Sequence, residues 1–111
     1  MTEEKLIQLT NKYIRDKSVL SLMISYKTLI QNKLTEIITE KQKNNLRAGI
    51  QDESIVKSTI QIAKNVINNT SATEKNLFAV SMSVSVILKE LDFQKYNSPK
   101  GQSEIYKLLI T

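Results

Sequence analysis

One apolar stripe constrains the fold of this chain more than any other feature. Between Ser18 and Lys41, six apolar side chains recur every three or four residues: Val19, Met23, Tyr26, Ile30, Leu34 and Ile37. At about 100° per residue they share one face of an α-helix, while serine, threonine and asparagine fall on the opposite face. The pattern predicts a helix that spans roughly 35 Å and that other helices must cover along its length.

The rest of the chain carries the signals of helix ends. Candidate helix caps are Thr2, the stretch Asp16-Lys17-Ser18, Asp52 and the capping box Ser71-Ala72-Thr73-Glu74, and Ala48-Gly49 is a candidate helix end. These residues predict a first helix from Thr2 to about Arg15 and an end of the long second helix at Gly49. A third helix would run from Asp52 to Asn68-Asn69-Thr70, and a fourth would start at the capping box.

The segment from Val80 to Val86 fits two periods. Apolar and small residues alternate there as in a strand, yet Leu77, Val80, Val84 and Leu88 also match the helical period. We favour a helix, because the capping box supplies a start and small Ser and Ala side chains let neighbouring helices approach closely.

The last part of the chain is harder to assign. Gln94 to Gln102 holds the only proline and the second glycine, which predicts a loop. Ser103 to Ile110 fits either a short helix or a strand. Together the segments predict an all-α fold: a single domain of residues 1–111, built as an irregular bundle of four or five helices.

Composition narrows the function. Cysteine and histidine are absent and glycine occurs twice, so we expect no thiolate site, no glycine-rich phosphate loop and no enzyme, metal site or cofactor. A helical enzyme that uses carboxylates or lysine is the third alternative, after a protein-binding and a DNA-binding protein. Glu36 and Glu40 lie four residues apart, which is one helical turn and the spacing of a pair of metal-binding carboxylates. Nearby lysines instead favour a solvent-exposed face of ion pairs. The longest uncharged stretch, Asn76 to Leu88, is shorter than the ~20 residues of a membrane helix. We expect a cytoplasmic protein.

Basic residues suggest nucleic acid as one possible partner. The net charge is +5, and the candidate nucleic-acid-binding residues are Lys41, Lys43 and Arg47, together with Lys95 and Lys100 in the later loop. The same cations also suit a solvated helix end, where the helix dipole is negative.

A second signal for DNA lies near the C-terminus. Ser83-Val84-Ser85 followed by Leu88-Lys89-Glu90-Leu91 resembles the recognition helix of winged helix-turn-helix proteins, with Phe93 to Ile110 as the wing. The resemblance implies a DNA-binding regulator and covers about a quarter of the chain. The chain departs from that family at Asn76-Leu77-Phe78-Ala79, where the family has a turn after a short helix.

A protein partner is the first expectation. In size, lack of cysteine, basic charge and helical layout, the chain resembles the small cytosolic immunity proteins of Gram-positive bacteria, and its Ile, Lys, Asn and Ser content indicates an AT-rich genome. The resemblance implies a non-catalytic regulator or inhibitor that occupies another protein. Candidate protein-contact residues off the main stripe are Leu20, Ile24, Leu46 and Ile50. They could also serve a homodimer, and the default expectation is that they pack under a neighbouring helix. We also expect a homodimer, because shorter helices leave part of the long helix uncovered.

Overall fold

The computed structural model describes residues 2–68 and 73–110 and places helices along nearly all of them. The six α-helices are α1 (Glu3–Tyr13), α2 (Lys17–Ile37), α3 (Glu40–Arg47), α4 (Glu53–Asn68), α5 (Glu74–Glu90) and α6 (Pro99–Ile110), and a 3₁₀-helix (Gln94–Asn97) lies between α5 and α6. No strand forms in these residues. The all-α prediction is confirmed, but the predicted count of four or five helices is too low.

The predicted caps at Thr2, Asp16 and Asp52 are confirmed. Each side chain accepts a hydrogen bond from a backbone N–H in the first turn of its helix: from Lys5 at 3.1 Å, Ser18 at 2.9 Å and Ser54 at 2.9 Å. Such a bond satisfies a donor that the helix itself leaves unpaired.

The helix α5 begins two residues later than the predicted box implies. Its N-cap is Thr73, whose side chain accepts from the Asn76 N–H at 3.2 Å. Residues 69–72 lie outside the described part of the chain, so the predicted box and the end of the helix at Asn69-Thr70 stay predictions.

The helix α5 lies at the centre of the bundle and packs against α2, α4 and α6. The segment Val80 to Val86 is helical, as favoured from sequence. Its serines allow close packing: Ser83 Oγ lies 2.7 Å from the Ala79 carbonyl oxygen and 3.0 Å from that of Met23 in α2. Nine of the 17 residues of α5 are buried, Val80 and Val84 among them.

Ion pairs between helices show the relative directions of α2, α4 and α5. Asp16, just before α2, pairs with Lys75 at the start of α5 (3.2 Å), and Lys27 pairs with Glu90 at the end of α5 (2.7 Å). These two helices are therefore parallel. The start of α4 lies beside the end of α5, because Glu53 pairs with Lys95 (3.6 Å). Hence α4 runs antiparallel to both.

The long second helix of the sequence prediction is two helices. α2 ends at Ile37, and Thr39 starts α3 with a capping box, in which Gln42 Oε1 accepts from the Thr39 N–H at 2.8 Å. Ile37 is 50% exposed, so its assignment to the buried stripe was wrong. The predicted end at Ala48-Gly49 is confirmed, but it closes α3, and Gly49 has a φ of +76°.

The predicted loop from Gln94 to Gln102 is also wrong, because Pro99 begins α6. Ser98 Oγ accepts a hydrogen bond from the Gly101 N–H at 3.1 Å, and proline fits the first helical position, where no N–H is needed. Gly101 lies inside α6 where a Cβ would collide with the Lys95 carbonyl oxygen and the Tyr96 Cα. The glycine thus serves close packing between α6 and the 3₁₀-helix. Ser103 to Ile110 is helical.

Within residues 2–68 and 73–110, no helix is both long enough and apolar enough to cross a membrane. The molecule measures 39 × 27 × 25 Å along its principal axes.

Candidate functional site

An apolar groove of about 530 Å³ lies between α2 and α4. Its lining residues are Tyr26, Leu29, Lys33 and Ile37 from α2 and Ser58, Gln61, Ile62, Asn65 and Val66 from α4. From Tyr26 to Ile37 the groove follows α2 for roughly 16 Å, which is three helical turns.

The floor and walls of the groove are apolar. Tyr26, Ile62 and Val66 are nearly buried and form the floor, because each also belongs to the core of the bundle. Leu29 and Ile37 are 44% and 50% exposed and form the α2 wall. Two large apolar side chains therefore face solvent directly above a buried apolar floor, and water there is easily displaced by another apolar surface.

The rim of the groove is polar but almost uncharged. Gln61 Nε2 donates to Asn65 Oδ1 at 3.2 Å along the α4 wall. Lys33 is the single charged side chain among the nine lining residues, and its Nζ lies 3.7 Å from Glu36 on the same helix. The groove therefore favours an apolar, weakly charged ligand surface.

The four predicted protein-contact residues do not line this groove. Leu20 and Ile24 are exposed near the start of α2, whereas Leu46 packs against the core and Ile50 is exposed after α3. α2 rises roughly 20 Å between Ile24 and its last residue, which separates the first pair from the second. Whether any of the four contacts a partner stays a prediction.

The predicted basic residues meet at one end of the bundle, among acids. Lys43 pairs with Glu40 at 3.3 Å, and Lys95 pairs with Glu53 at 3.6 Å. Hydrogen bonds from the Ser54 side chain and backbone, with a smaller contribution from Lys41, lower the pKa of Asp52. Within the described residues, Arg47 and Lys100 form no ion pair. Interleaved acids weaken the field that a nucleic-acid surface needs.

The carboxylates are arranged as ion pairs. Glu36 lies in α2 and Glu40 in α3, so they do not share one helix as the sequence suggested, and each pairs with a lysine. Glu90 accepts from Lys27 at 2.7 Å and from Gln31 at 3.1 Å. Residues 2–68 and 73–110 contain no group of three or more acidic, histidine or cysteine side chains that could hold a metal ion.

No protein-family model, curated protein or solved structure matches this chain. The α2–α4 groove is larger and more apolar than two other surface grooves of about 340 and 240 Å³. Concave apolar surfaces of this size are where proteins most often bind ligands and partner helices.

Proposed function

We propose that the protein is a non-catalytic regulator or inhibitor that binds another protein, and that a helix of that partner lies in the α2–α4 groove. The single observation that carries the proposal is the pair of exposed walls, Leu29 and Ile37, above the apolar floor of Tyr26, Ile62 and Val66. Without a partner, the apolar surface of the groove is exposed to water, which is unfavourable in free energy. Burial against a matching apolar face of the partner removes this unfavourable exposure.

The dimensions of the groove match a short amphipathic helix. Three turns accommodate apolar anchors at positions i, i+4 and i+7 of the partner, which span about 10 Å. The uncharged rim of Ser58, Gln61 and Asn65 suits the polar edges of such a helix. Lys33 is the lone cation in the lining, so the partner helix should present an acidic or neutral side chain opposite it.

DNA is the less favoured partner. After Phe93 the described chain forms the 3₁₀-helix and α6 and no strand, so the wing that the winged-helix resemblance requires does not form in the described residues. Three of the five candidate cations also lie close to acids. No observation of the fold adds support to that alternative.

Photo-crosslinking in the native host tests the proposal. A photoreactive amino acid at position 29 or 37 would line the groove, whereas the same amino acid at Ile14, which is 54% exposed outside the groove, serves as the matched control. We expect positions 29 and 37 to crosslink to one segment of one protein, and that segment to have an amphipathic helical pattern.

Two results would contradict the proposal. One is that position 14 captures the same segment as the groove positions, because the contact is then not specific to the groove. The other is that the groove positions capture no protein segment at all. Circular dichroism of each labelled protein shows whether it is folded.

A further inference from the structure

One aromatic side chain with a polar tip lies in the floor of the α2–α4 groove. Tyr26 is 8% exposed and belongs to the core of the bundle, but it also lines the groove. Within the described residues its hydroxyl has no hydrogen-bond partner. In contrast, the Tyr13 hydroxyl donates to Glu74 Oε1 at 2.9 Å. A nearly buried hydroxyl without a partner is unfavourable, so a ligand that supplies a partner gains affinity at this point.

The Tyr26 hydroxyl is accessible from the groove. Ser81 Oγ is the one side-chain oxygen or nitrogen of the described residues that is both sealed from solvent and without a partner. The Tyr26 hydroxyl also lacks a partner, so it is not sealed, and the groove is the surface depression that Tyr26 lines. A group bound in the groove can therefore reach this hydroxyl.

The charge near Tyr26 selects the kind of group that binds it. A tyrosine hydroxyl can donate or accept, so by itself it does not distinguish an anion from a cation. Lys33 is the single charged side chain in the groove lining, and it follows Tyr26 by seven residues on the same face of α2. Helical side chains lean toward the N-terminus, so the Lys33 side chain leans toward Tyr26. Glu36, which pairs with Lys33 at 3.7 Å, lies outside the lining. The groove therefore favours an acceptor with negative charge.

We propose that the partner helix carries a carboxylate among its apolar anchors, and that this carboxylate accepts a hydrogen bond from the Tyr26 hydroxyl beside Lys33. The inference rests on the proposed function, because it concerns the helix that the groove binds. The apolar anchors supply most of the contact area, and the carboxylate fixes the position of the helix along the groove. Because the Lys33 side chain is 59% exposed, the carboxylate stays near solvent and keeps part of its hydration. A helix with the same apolar pattern but no carboxylate leaves the Tyr26 hydroxyl unpaired and binds more weakly.

Two amphiphiles test the chemistry of the groove before the partner is known. Octanoate joins an apolar chain to a carboxylate, and octylammonium joins a chain of the same length to a cation. In a titration followed by NMR, we expect octanoate to shift the backbone signals of Leu29 and Ile62, with a dissociation constant on the order of 1 mM. Octylammonium should bind at least about fivefold more weakly, because Lys33 repels it.

Two tyrosine variants separate the effect of the hydroxyl from that of the aromatic ring. Tyr26→Phe keeps the ring and should weaken octanoate binding about tenfold, because a hydrogen bond to a charged group is lost. Tyr106→Phe is the matched control and should bind octanoate as the wild type does. Tyr106 is 6% exposed, lies outside the groove lining and also has no hydrogen bond in the described residues. Thermal unfolding should show that Tyr26→Phe is at least as stable as the wild type, because the hydroxyl forms no bond within the described part of the chain.

The inference and the proposed function fail on different results. The inference is overturned if Tyr26→Phe binds octanoate as tightly as the wild type or loses stability, or if octylammonium binds as tightly as octanoate. It is also overturned if octanoate causes no shift in the groove below about 20 mM. A crosslinked partner segment without aspartate or glutamate overturns it too, although such a segment still supports the proposed function. Octanoate binding through Tyr26 without any crosslinked segment supports the chemistry of the groove and contradicts the proposed function.

Discussion

At the scale of single residues, the C-terminal ends of α3 and α5 have the same hydrogen-bond pattern, but the residue with positive φ is a glycine in one and an aspartate in the other. After α3, the N–H of Ile50 donates to the Asn45 carbonyl and that of Gly49 to the Leu46 carbonyl; after α5, Phe93 donates to Leu88 and Asp92 to Lys89. Both are Schellman motifs. Gly49 has a φ of +76° and Asp92 a φ of +66°, a region that costs side chains energy but not glycine.

The shared motif predicts opposite effects of substitution. Asp92→Gly should raise the free energy of unfolding by about 0.5–1 kcal/mol, and Gly49→Ala should lower it by about 1 kcal/mol. Asp92→Ala is the control and should be destabilising, because alanine tolerates positive φ less well than aspartate. Urea unfolding measures all three. An Asp92→Gly variant that is no more stable than the wild type would show that the backbone strain is negligible.

A second residue-scale prediction concerns acid. Hydrogen bonds from the Ser18 hydroxyl and from Lys75 lower the pKa of the Asp16 carboxyl from 3.8 to about 2. A carboxyl with a lowered pKa stabilises the folded protein above the unfolded pKa, and this contribution is lost as pH falls through the folded pKa. Asp16→Asn keeps a capping side chain without the charge.

The Asp16→Asn variant should therefore be less stable than the wild type at pH 7, and the difference should shrink as pH falls from about 4 to 2. Urea midpoints measured along a pH series give this difference. Glu104→Gln, which removes an exposed carboxylate that forms no ion pair in the described residues, is the control and should show no such trend. A stability difference between Asp16→Asn and the wild type that stays constant down to about pH 2 contradicts the ion pair at Asp16.

At the scale of helices, the sequence predicted the starts of α1, α2 and α4, but it missed the break between α2 and α3 and the start of α6. Thr2, Asp16 and Asp52 were found because each precedes a periodic apolar run. The break between α2 and α3 was missed because the apolar pattern continues through Ile37 and Ile38, although Thr39-Glu40-Lys41-Gln42 matches a capping box. The start of α6 was missed because proline and glycine were interpreted as loop residues, while Ser98-Pro99 is also a helix start.

The groove could not be predicted from sequence. Its width depends on how far α2 and α4 diverge, and this is set by the packing of both helices on α5. The one available signal was Leu29, an apolar residue beside the main stripe, which widens the apolar face of α2 beyond what one neighbouring helix covers.

The packing of α6 gives an element-scale prediction. Gly101→Ala should destabilise the protein by about 1–3 kcal/mol, because the new Cβ meets the backbone of Lys95 and Tyr96, which cannot yield as a side chain can. The better helix propensity of alanine offsets only about 1 kcal/mol of this cost. Thermal unfolding measures the change, with the exposed neighbour substitution Lys100→Ala as control. A Gly101→Ala variant more stable than the wild type would refute the close approach.

At the scale of the whole molecule, charge separates the two classes of partner. Binding to DNA through four or five of Lys41, Lys43, Arg47, Lys95 and Lys100 would release counterions, with a slope of about 0.9 per contact. The affinity would then fall more than a hundredfold between about 50 and 200 mM salt. We predict no sequence-specific DNA binding at physiological salt, and only weak retention below it.

Gel shifts over a salt series measure how the affinity for DNA depends on salt. The outcome that would favour DNA is a complex that survives near 150 mM salt, prefers one sequence over competitor, and is lost in the triple variant Lys41→Glu/Lys43→Glu/Arg47→Glu. The triple variant Lys5→Glu/Lys17→Glu/Lys57→Glu lowers the net charge by the same amount at exposed lysines elsewhere and serves as the control for net charge alone.

The most direct test of the groove proposal is a titration. The partner segment found by crosslinking is synthesised as a peptide and titrated into the purified wild type, Ile37→Asp and Ile14→Asp proteins by calorimetry. We expect the peptide to bind the wild type and Ile14→Asp equally, and Ile37→Asp at least tenfold more weakly, or about 1.4 kcal/mol, because an aspartate would be buried against apolar anchors. Equal binding to all three proteins would show that the partner lies elsewhere and would contradict the groove as the binding site.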